Sequence, residues 1–368
     1  MNWFIDAHED LAWNMACFGR DYSRSAYQTR LSEQGTPFPA YTGDTMLGWP
    51  EYNQAKVALV FGTLFAAPAR PGRVDLLDKQ TYTTPREANV IAWNQLGSYH
   101  RLCDQKPHAF RMIGTQTELN QHLARWQENP PGKDGQGYQP VGLIPLMEGA
   151  EGILNLDELP RWWEAGLRII GLAWTGTRFS GGTREPGPLT SEGKALLESM
   201  ADLGFFILDL SHMDAAAAFQ ALERYQGTII TSHANASRLV RAYSGNRLLD
   251  DDLIRAMIER DVVIGTVPFN NFLQADWEQN GGRQAVSLSM LADQIDYICQ
   301  IAGDAHHVGI GTDFDGGFGL QSSPRELDSI ADLPLILPLL SAKGYSEAEL
   351  EAIAHGNFLR VLQSALPQ

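Results

Sequence analysis

The sequence predicts an α/β protein built as a (β/α)8 barrel, the TIM-barrel architecture. Three observations predict it: short apolar runs recur along the whole chain, helical patterns separate many of them, and the runs number eight. Each run is almost continuously apolar, which is typical of parallel strands covered on both faces. Eight such strands favour closure into a barrel over an open sheet. We expect residues 1–368 to form a single barrel domain.

The predicted strands and helices alternate, as a parallel sheet requires. In chain order the strands are Trp3–Ala7, Lys56–Phe65, Val141–Met147, Leu167–Ala173, Phe205–Leu210, Thr228–Thr231, Val262–Val267 and His307–Gly311. Helical patterns cover Ser191–Leu203, Asp214–Tyr225, Asp250–Arg260, Ser287–Ala302, Glu326–Lys343 and Ser346–Leu362. Ser191 is a predicted N-cap, and Ser346 with Glu349 has the spacing of a capping box.

Three segments do not fit the alternation and are predicted as inserted loops, at about 17–50, 129–139 and 180–188. The first is rich in Gly, Ser, Tyr, Thr and Pro, the second contains Pro-Pro-Gly-Lys-Asp-Gly, and the third combines glycines with prolines. The first and third follow strand ends. In a barrel they would therefore lie over the face where barrel enzymes keep their active sites.

Charge and composition exclude several classes of partner. The net charge of −16 argues against nucleic acid and against an anionic membrane surface, because both attract basic surfaces. The three cysteines, Cys17, Cys103 and Cys299, form no CxxC pair, which argues against a disulfide framework and against a thiolate zinc site. Neither a signal peptide nor a long apolar span is visible, so we expect a cytoplasmic protein.

Polar residues cluster at the carboxyl ends of five predicted strands. They are His8 and Asp10 after the first strand, Glu148 after the third, His212 after the fifth, His233 after the sixth, and Asp313 with Asp315 after the eighth. In a parallel barrel these ends meet on one face. Imidazole and carboxylate ligands around one cavity suit zinc. The remaining histidines are interpreted as surface or structural residues: His100, His108, His122, His306, His307 and His355.

Taken in order, these motifs resemble the membrane dipeptidase (renal dipeptidase) family of zinc peptidases, in the amidohydrolase superfamily. The motifs are His8-Glu-Asp10, Glu148-Gly, Leu-Ser-His212, Ser-His233 and Asp313-Phe-Asp315-Gly, and the resemblance covers about the whole chain. It implies a barrel of the metal-dependent hydrolase type and a small-molecule or dipeptide substrate. A homodimer is compatible with the sequence, which does not fix the oligomeric state.

The resemblance also implies roles for individual residues. His8 and Asp10 would hold one zinc ion, His212 and His233 a second, and Glu148 would bridge the two. Asp313 would bind the water between the ions, take its proton and return it to the leaving amine. Asp315 is interpreted as structural, fastening a nearby loop.

The residues expected to contact the substrate depart from the family pattern. Trp174 stands where the family carries a histidine that contacts the substrate carbonyl, and Arg178 is a candidate replacement. Arg247 best matches the arginine that grips the substrate carboxylate, with Arg238 and Arg241 as rivals. Phe269 replaces a tyrosine, so that hydroxyl is lost.

Three functions are therefore compatible with the sequence. The first is a zinc dipeptidase acting through a metal-bridged water, including on dipeptides with a D-residue. The second is a zinc amidohydrolase acting on another amide, a lactam or an ester, with Trp174 lining a more apolar pocket. The third is a weakly active or non-catalytic zinc-binding barrel, against which the intact Asp313 counts.

Overall fold

All eight predicted strands are present in the computed structural model, which describes residues 3–69, 80–132, 136–240 and 243–368. They are β1 (Phe4–Glu9), β2 (Val57–Phe65), β3 (Val141–Glu148), β4 (Ile169–Gly171), β5 (Ile207–Asp209), β6 (Ile229–Thr231), β7 (Val263–Thr266) and β8 (Val308–Ile310). Each strand lies within its predicted run or extends it by one or two residues.

The strands close into a ring. Each of β1 to β8 pairs in parallel with the strand before and the strand after it, and β8 pairs with β1. The longest register joins β2 to β3, from Leu59 opposite Gly142 to Phe65 opposite Glu148. A further short strand, Phe110–Met112, pairs beside the first half of β3. The predicted barrel is confirmed, and its parallel strands bring all eight carboxyl ends to one face.

Helices surround the barrel and fill the connections between its strands. The α-helices are Leu11–Phe18, Ala26–Glu33, Phe38–Thr42, Trp49–Ala55, Pro85–Gln105, Gln116–Glu128, Leu159–Glu164, Ser191–Leu203, Ala215–Arg224, Asp251–Glu259, Asn270–Leu273, Leu288–Ala302, Ile336–Ala342, Glu347–Glu351 and Asn357–Ala365. Short 3₁₀ helices cover Ala150–Gly152, Leu156–Glu158, Ser237–Leu239, Gly282–Ala285, Leu320–Ser322 and Ile330–Leu335, and Ala352–Gly356 is a π-turn. In the described part of the chain, no helix has the length and apolar character needed to span a membrane.

Two helix predictions need correction. The cap of Ser191–Leu203 is Thr190, not Ser191, because the Thr190 hydroxyl accepts a hydrogen bond from the backbone N–H of Gly193. The predicted helix Glu326–Lys343 begins only at Ile330, with a 3₁₀ segment that contains Pro334 and becomes α-helical after it. The capping box of Ser346 and Glu349 is confirmed.

The predicted inserted segments differ in structure. Segment 17–50, predicted as a loop, instead holds the helices Ala26–Glu33 and Phe38–Thr42 and the start of a third. Segment 180–188 lies in an antiparallel pair formed by Ser180–Gly182 and Glu185–Leu189. The described residues of segment 129–139 form neither helix nor strand.

The amino end of the barrel is sealed by apolar side chains. One buried cluster joins strand residues such as Ile5 and Phe61 to Phe358 and Leu362 of the C-terminal helix. The rings of Phe61 and Phe358 meet edge to face at 5.6 Å between centroids. The apolar cluster therefore fills the interior of the barrel at its amino end.

Candidate active site

Six side chains meet at the carboxyl face of the barrel, and we call them the polar cluster. Its members are His8, Asp10, Glu148, His212, His233 and Asp313. They lie at the ends of β1, β3, β5, β6 and β8, or within three residues of those ends. All six predicted residues are thus brought together, as the strand directions require.

Glu148 lies at the centre of the polar cluster. Its Oε1 is 3.1 Å from Nε2 of His212, 3.4 Å from Nε2 of His8 and 3.6 Å from Nε2 of His233. The Nε2 atoms of His212 and His233 are 3.0 Å apart. Three imidazole nitrogens therefore surround one carboxylate oxygen, and imidazole with carboxylate is a ligand set suited to zinc.

A second group of ligand atoms lies on the other side of His8. Potential ligand atoms of His8, Asp10 and Asp313 lie within 4.8 Å of one another, as do those of His8, Glu148 and His233. The distance from His8 Nε2 to Asp313 Oδ1 is 4.0 Å. The two groups share His8, and each combines three potential ligands for a cation.

Neighbouring hydroxyl groups hold the outer atoms of the cluster. Ser232 Oγ lies 3.0 Å from Nδ1 of His8 and 2.9 Å from Nδ1 of His233, and Thr183 Oγ1 lies 3.0 Å from Nδ1 of His212. The hydroxyl of Thr63 donates to Asp10 Oδ1. Because Nδ1 is engaged on each ring, Nε2 remains free to bind a metal.

The electrostatics of the cluster favour a bound cation. Burial raises the pKa of Asp10 to about 7, and the charge of Glu148 adds to that effect. Burial, with Asp10 and Glu148, also raises the pKa of Asp313 well above its usual range. Burial lowers the pKa of His8, but the negative charges of Glu148, Asp313 and Asp10 together outweigh it and raise this pKa to about 9. A crowded, buried set of acids of this kind is stabilised by positive charge.

The ring nitrogens of the three histidines also suit a divalent metal. The Nε2 atom of His8 is buried and has no hydrogen-bond partner within the described ranges. Burial lowers the pKa of His212 to about 4, and Arg247 adds to that shift. Burial also lowers the pKa of His233 well below its usual range. Neutral imidazole is the form in which histidine binds metal, and burial favours that form at His212 and His233.

The backbone is strained at two members of the cluster. His212 has φ 64° and Asp313 has φ 56°, in the left-handed region that non-glycine residues rarely occupy. Such conformations persist only where the surrounding structure imposes them, and they concentrate at functional sites. The strain therefore supports the assignment of this face as the active site.

The four residues predicted to contact the substrate form the rim: Trp174, Arg178, Arg247 and Phe269. The Trp174 ring lies 6.2 Å from the His212 ring and 4.9 Å from that of Phe65, measured between centroids. Phe269 stacks on Phe318 at 4.2 Å. Trp174 therefore borders the polar cluster, whereas the contacts of Phe269 are with other aromatic rings.

Arg247 is buried beside the polar cluster. Its Nη2 donates to the carbonyl of His233 at 2.8 Å, while Nε and Nη1 have no partner among the described residues. Its rival Arg238 is exposed, and Arg241 lies outside the described residues. The geometry thus favours Arg247 as the arginine that meets a substrate.

Arg178 is held by contacts away from the cluster. Its guanidinium donates to the carbonyl of Ile153, lies 4.0 Å from Glu151 and 3.7 Å from Glu192, and covers the ring of Phe179. These contacts fix the loop after β4. The predicted role as replacement donor for the substrate carbonyl gains no support from this position.

Asp315 fastens the inserted segment 17–50, as the sequence predicts. Its carboxylate accepts hydrogen bonds from the Tyr22 hydroxyl and the Met46 backbone N–H, both at 2.9 Å, and from the Thr45 hydroxyl. Arg20 Nη1 lies 3.2 Å from Asp315 Oδ2. Asp315 is fully buried and stabilises this segment beside the polar cluster.

Sequence reasoning missed the residues that support the polar cluster. Ser232, Asp209, Thr183 and Thr63 carry its hydrogen bonds, and none was predicted. The serine that precedes His233 and the acid three residues before His212 were visible signals. Their contacts depend on packing between strands that the sequence does not display.

Comparison with known proteins identifies the family of this chain. A sequence profile of the membrane dipeptidase family (peptidase family M19) matches residues 2–366. The chain belongs to this family. The predicted resemblance is confirmed, and it places the chain among metal-dependent hydrolases of the dipeptidase class.

Curated relatives include both uncharacterised proteins and named dipeptidases. A protein from the pqqA 5' region of Klebsiella pneumoniae is 31% identical over 238 residues, which are 62% of this chain and 83% of that protein. Dipeptidase aclJ of Aspergillus oryzae is 30% identical over 61% of this chain and 52% of its own length. Dipeptidase 3 of Mus musculus is 30% identical over 76% of this chain and 52% of its own length. The chain thus spans about half the length of these two dipeptidases.

Solved structures share the fold over the whole chain. Dipeptidase AC, a metallopeptidase of family M19, has a TM-score of 0.77 and 22% identity, and the match covers 100% of this chain and 99% of that one. A metallopeptidase from Rhodobacter sphaeroides, liganded with a phosphinate mimic of the dipeptide L-Ala-D-Ala, has a TM-score of 0.76 and 21% identity, with 99% of each chain covered. These likenesses confirm the barrel.

Proposed function

We propose that this chain hydrolyses the peptide bond of dipeptides with two zinc ions. His8 and Asp10 would hold one ion, His212 and His233 would hold the other, and Glu148 would bridge them. The observation that carries the proposal is the convergence of three Nε2 atoms on Glu148 Oε1. Family membership supports a dipeptide substrate.

Asp313 is the proton carrier in this proposal. Zinc bound at the cluster would lower the pKa of a water molecule and polarise the scissile carbonyl. The Asp313 carboxylate accepts a proton from the attacking water and donates it to the leaving amine. Its Oδ1 faces the cluster, 4.0 Å from Nε2 of His8, and its side chain is 13% exposed. This position lets it reach both the cluster and an entering substrate.

Arg247 anchors the terminal carboxylate of the substrate. Its two unpartnered nitrogens are buried near Asp313 and Glu148, and burial lowers the pKa of the guanidinium. A buried guanidinium with free N–H groups is suited to bind a carboxylate. The anchor would orient the dipeptide so that its peptide bond lies over the polar cluster.

An aromatic wall faces the amino-terminal residue of the substrate. Trp174 follows β4 and contacts Phe65 at the end of β2, whose ring lies 6.4 Å from that of Trp13. Arg247 follows β6, on the other side of His212 and His233. A dipeptide held at Arg247 presents its amino-terminal side chain to this wall, so we expect a preference for apolar residues there.

The second candidate function is hydrolysis of another amide, a lactam or an ester. Trp174 favours it, because an indole donates one hydrogen bond but cannot become cationic as the family's histidine can. A substrate with a weaker need for carbonyl activation, such as an ester, tolerates that loss better. Both candidates use the same metal site and differ in the substrate.

A substrate panel separates the two candidates. Zinc-loaded protein is assayed for amine release from dipeptides, including L-Ala-D-Ala and dipeptides with an aromatic first residue, and for hydrolysis of simple esters and lactams. Asp313→Asn serves as the matched control for contaminating activity. Dipeptide turnover that disappears in the control supports the first candidate. Turnover of esters or lactams alone removes the dipeptidase assignment.

A further inference from the structure

Ser232 contacts two histidines that come from different strand ends. Its Oγ lies 3.0 Å from Nδ1 of His8 and 2.9 Å from Nδ1 of His233, and the His8 and His233 rings lie 3.7 Å apart between centroids. The serine is completely buried. Under the proposed function these histidines bind different zinc ions. One hydroxyl therefore touches both halves of the metal site.

The acceptors around Ser232 determine where its single proton lies. Its Oγ is 2.6 Å from Asp209 Oδ2, and a carboxylate only accepts hydrogen bonds. Ser211 Oγ lies 3.1 Å away but has its own acceptor, Asp209 Oδ1, at 2.8 Å. With its proton directed to Asp209, Ser232 offers its lone pairs to the two imidazoles. In the neutral form that binds metal, each ring then carries its proton on Nδ1 and keeps Nε2 bare.

The backbone holds this serine at a fixed position. Asp209 Oδ1 accepts the N–H of Ser232 at 2.8 Å and that of Ser211 at 3.0 Å. The Ser232 carbonyl packs between Gly265 and Gly311, where a Cβ on either glycine would come within 1.9 Å of the oxygen. Only glycine permits this approach. Ser232 is therefore held from both sides, as a residue with a positioning task requires.

We propose that Ser232 is a positioning residue that fixes the tautomers of His8 and His233 together and thereby couples the two zinc positions. The inference rests on the proposed function. Thr183 provides a natural comparison, because its hydroxyl engages only His212. Partners of this kind typically change metal affinity by about 10–100-fold when they are removed. Loss of the Ser232 hydroxyl therefore lowers zinc affinity at both positions, and loss of the Thr183 hydroxyl lowers it at one.

Zinc titration of three variants tests this proposal. Bound zinc per chain is measured against a competing chelator for wild type, Ser232→Ala, Thr183→Val and Ser211→Ala. We expect affinity to fall by about 10–100-fold at both positions in Ser232→Ala and at one position in Thr183→Val. Ser211→Ala is the matched control, because Ser211 contacts Asp209, Ser232 and a backbone N–H but no imidazole. Loss confined to one ion in Ser232→Ala, or no loss, overturns the proposal.

A further variant and a measurement on the wild type distinguish the proposed role of Ser232 from a folding defect in Ser232→Ala. Ser232→Thr keeps the hydroxyl and is expected to restore zinc affinity, which a mere packing defect would not allow. In zinc-loaded wild type, ¹⁵N spectra of the histidines should show the proton on Nδ1 of both His8 and His233. Coordination of either ring through Nδ1 contradicts the proposal. Wild type that binds no zinc contradicts the proposed function instead.

Discussion

Two buried histidines, His8 at the carboxyl end of the barrel and His122 at the amino end, lie in opposite surroundings. At His8, the charges of Glu148, Asp313 and Asp10 together outweigh the effect of burial and raise the pKa to about 9. At the amino end, burial lowers the pKa of His122 to about 4, and Arg111 and Arg125 add to the shift. Both histidines are completely buried. Burial alone therefore does not make a functional histidine; the convergence of carboxylates does.

The contacts of the ring nitrogens also differ between His122 and His8. Nε2 of His122 lies 2.8 Å from the carbonyl of Ala58, near the start of β2, so its ring fastens a helix to the barrel. Nε2 of His8 has no hydrogen-bond partner among the described residues and lies 3.4 Å from Glu148 Oε1, while its Nδ1 is held by Ser232. The histidine at the amino end fastens the fold, whereas the histidine at the carboxyl end faces the polar cluster, where the backbone of His212 and Asp313 is strained.

Removal of Glu148 gives the largest expected effect at the carboxyl end. Glu148→Gln keeps the size of the side chain but removes the negative charge on which the three histidines converge. We expect loss of bound zinc and a fall in kcat/KM of about 1,000-fold, equivalent to about 4 kcal/mol. Zinc content and dipeptide hydrolysis measure it. Glu151→Gln, in the same loop, is the control and should retain zinc, and equal loss in both variants would contradict the central role of Glu148.

Asp313→Asn separates proton transfer from metal binding. The amide cannot accept the proton of an attacking water, so we expect kcat to fall by about 100-fold. Zinc content should stay close to that of wild type. Steady-state kinetics with metal analysis on the same sample measures both quantities. A variant that retains kcat excludes Asp313 as the proton carrier.

The amino end is tested through the pH dependence of stability. His122 has a pKa of about 4 in the folded protein and an ordinary value of 6.5, so the unfolded chain binds more protons between these pH values. Its contribution is complete above pH 6.5 and is lost as the pH falls toward 4, by on the order of 3 kcal/mol. We expect His122→Gln to unfold with a flatter pH profile in urea titrations over this window. Identical slopes for wild type and variant would show that His122 is not held neutral.

Replacement of Arg247 should act on substrate binding rather than on the chemical step. Arg247→Met removes the buried donors that meet the substrate carboxylate, at a cost of about 1.5–3 kcal/mol. We expect KM for dipeptides to rise by about 10- to 100-fold, with a smaller change in kcat. Arg238→Met, at an exposed position, is the matched control. If the control shows the larger rise, Arg238 is the carboxylate anchor.

Trp174→His gives the smallest expected effect and sharpens the role of the rim. A histidine at this position supplies the donor that the family places near the substrate carbonyl. We expect a several-fold increase in kcat/KM for L-Ala-D-Ala, measured by amine release. Unchanged or lower activity would show that Trp174 does not stand in for a lost carbonyl contact.

The sequence allowed the barrel and the polar cluster to be predicted because both depend on strand direction alone. Once eight parallel strands are placed, the side chains at their carboxyl ends must converge, and Glu148, His212 and His233 do so. The structural role expected of Asp315, the second acid of the Asp-Phe-Asp-Gly motif, agrees with its hydrogen bonds to Tyr22 and Met46.

The rim and the supporting hydroxyls could not be predicted because they depend on how loops fold back. Arg178 is adjacent to Trp174 in the loop after β4, yet it is captured by Ile153 and Glu151. Thr183 reaches His212 only because Ser180–Gly182 pairs with Glu185–Leu189. These contacts arise from packing between distant segments, which no local pattern displays.

Metal content measured together with activity tests the central claim most directly. Purified protein is analysed for bound metal per chain and assayed with dipeptides before chelation, after chelation and after zinc is restored. The account predicts two zinc ions per chain, loss of hydrolysis when they are removed and recovery when zinc returns. Dipeptide hydrolysis that persists without bound metal, or a chain that binds no zinc, would contradict it.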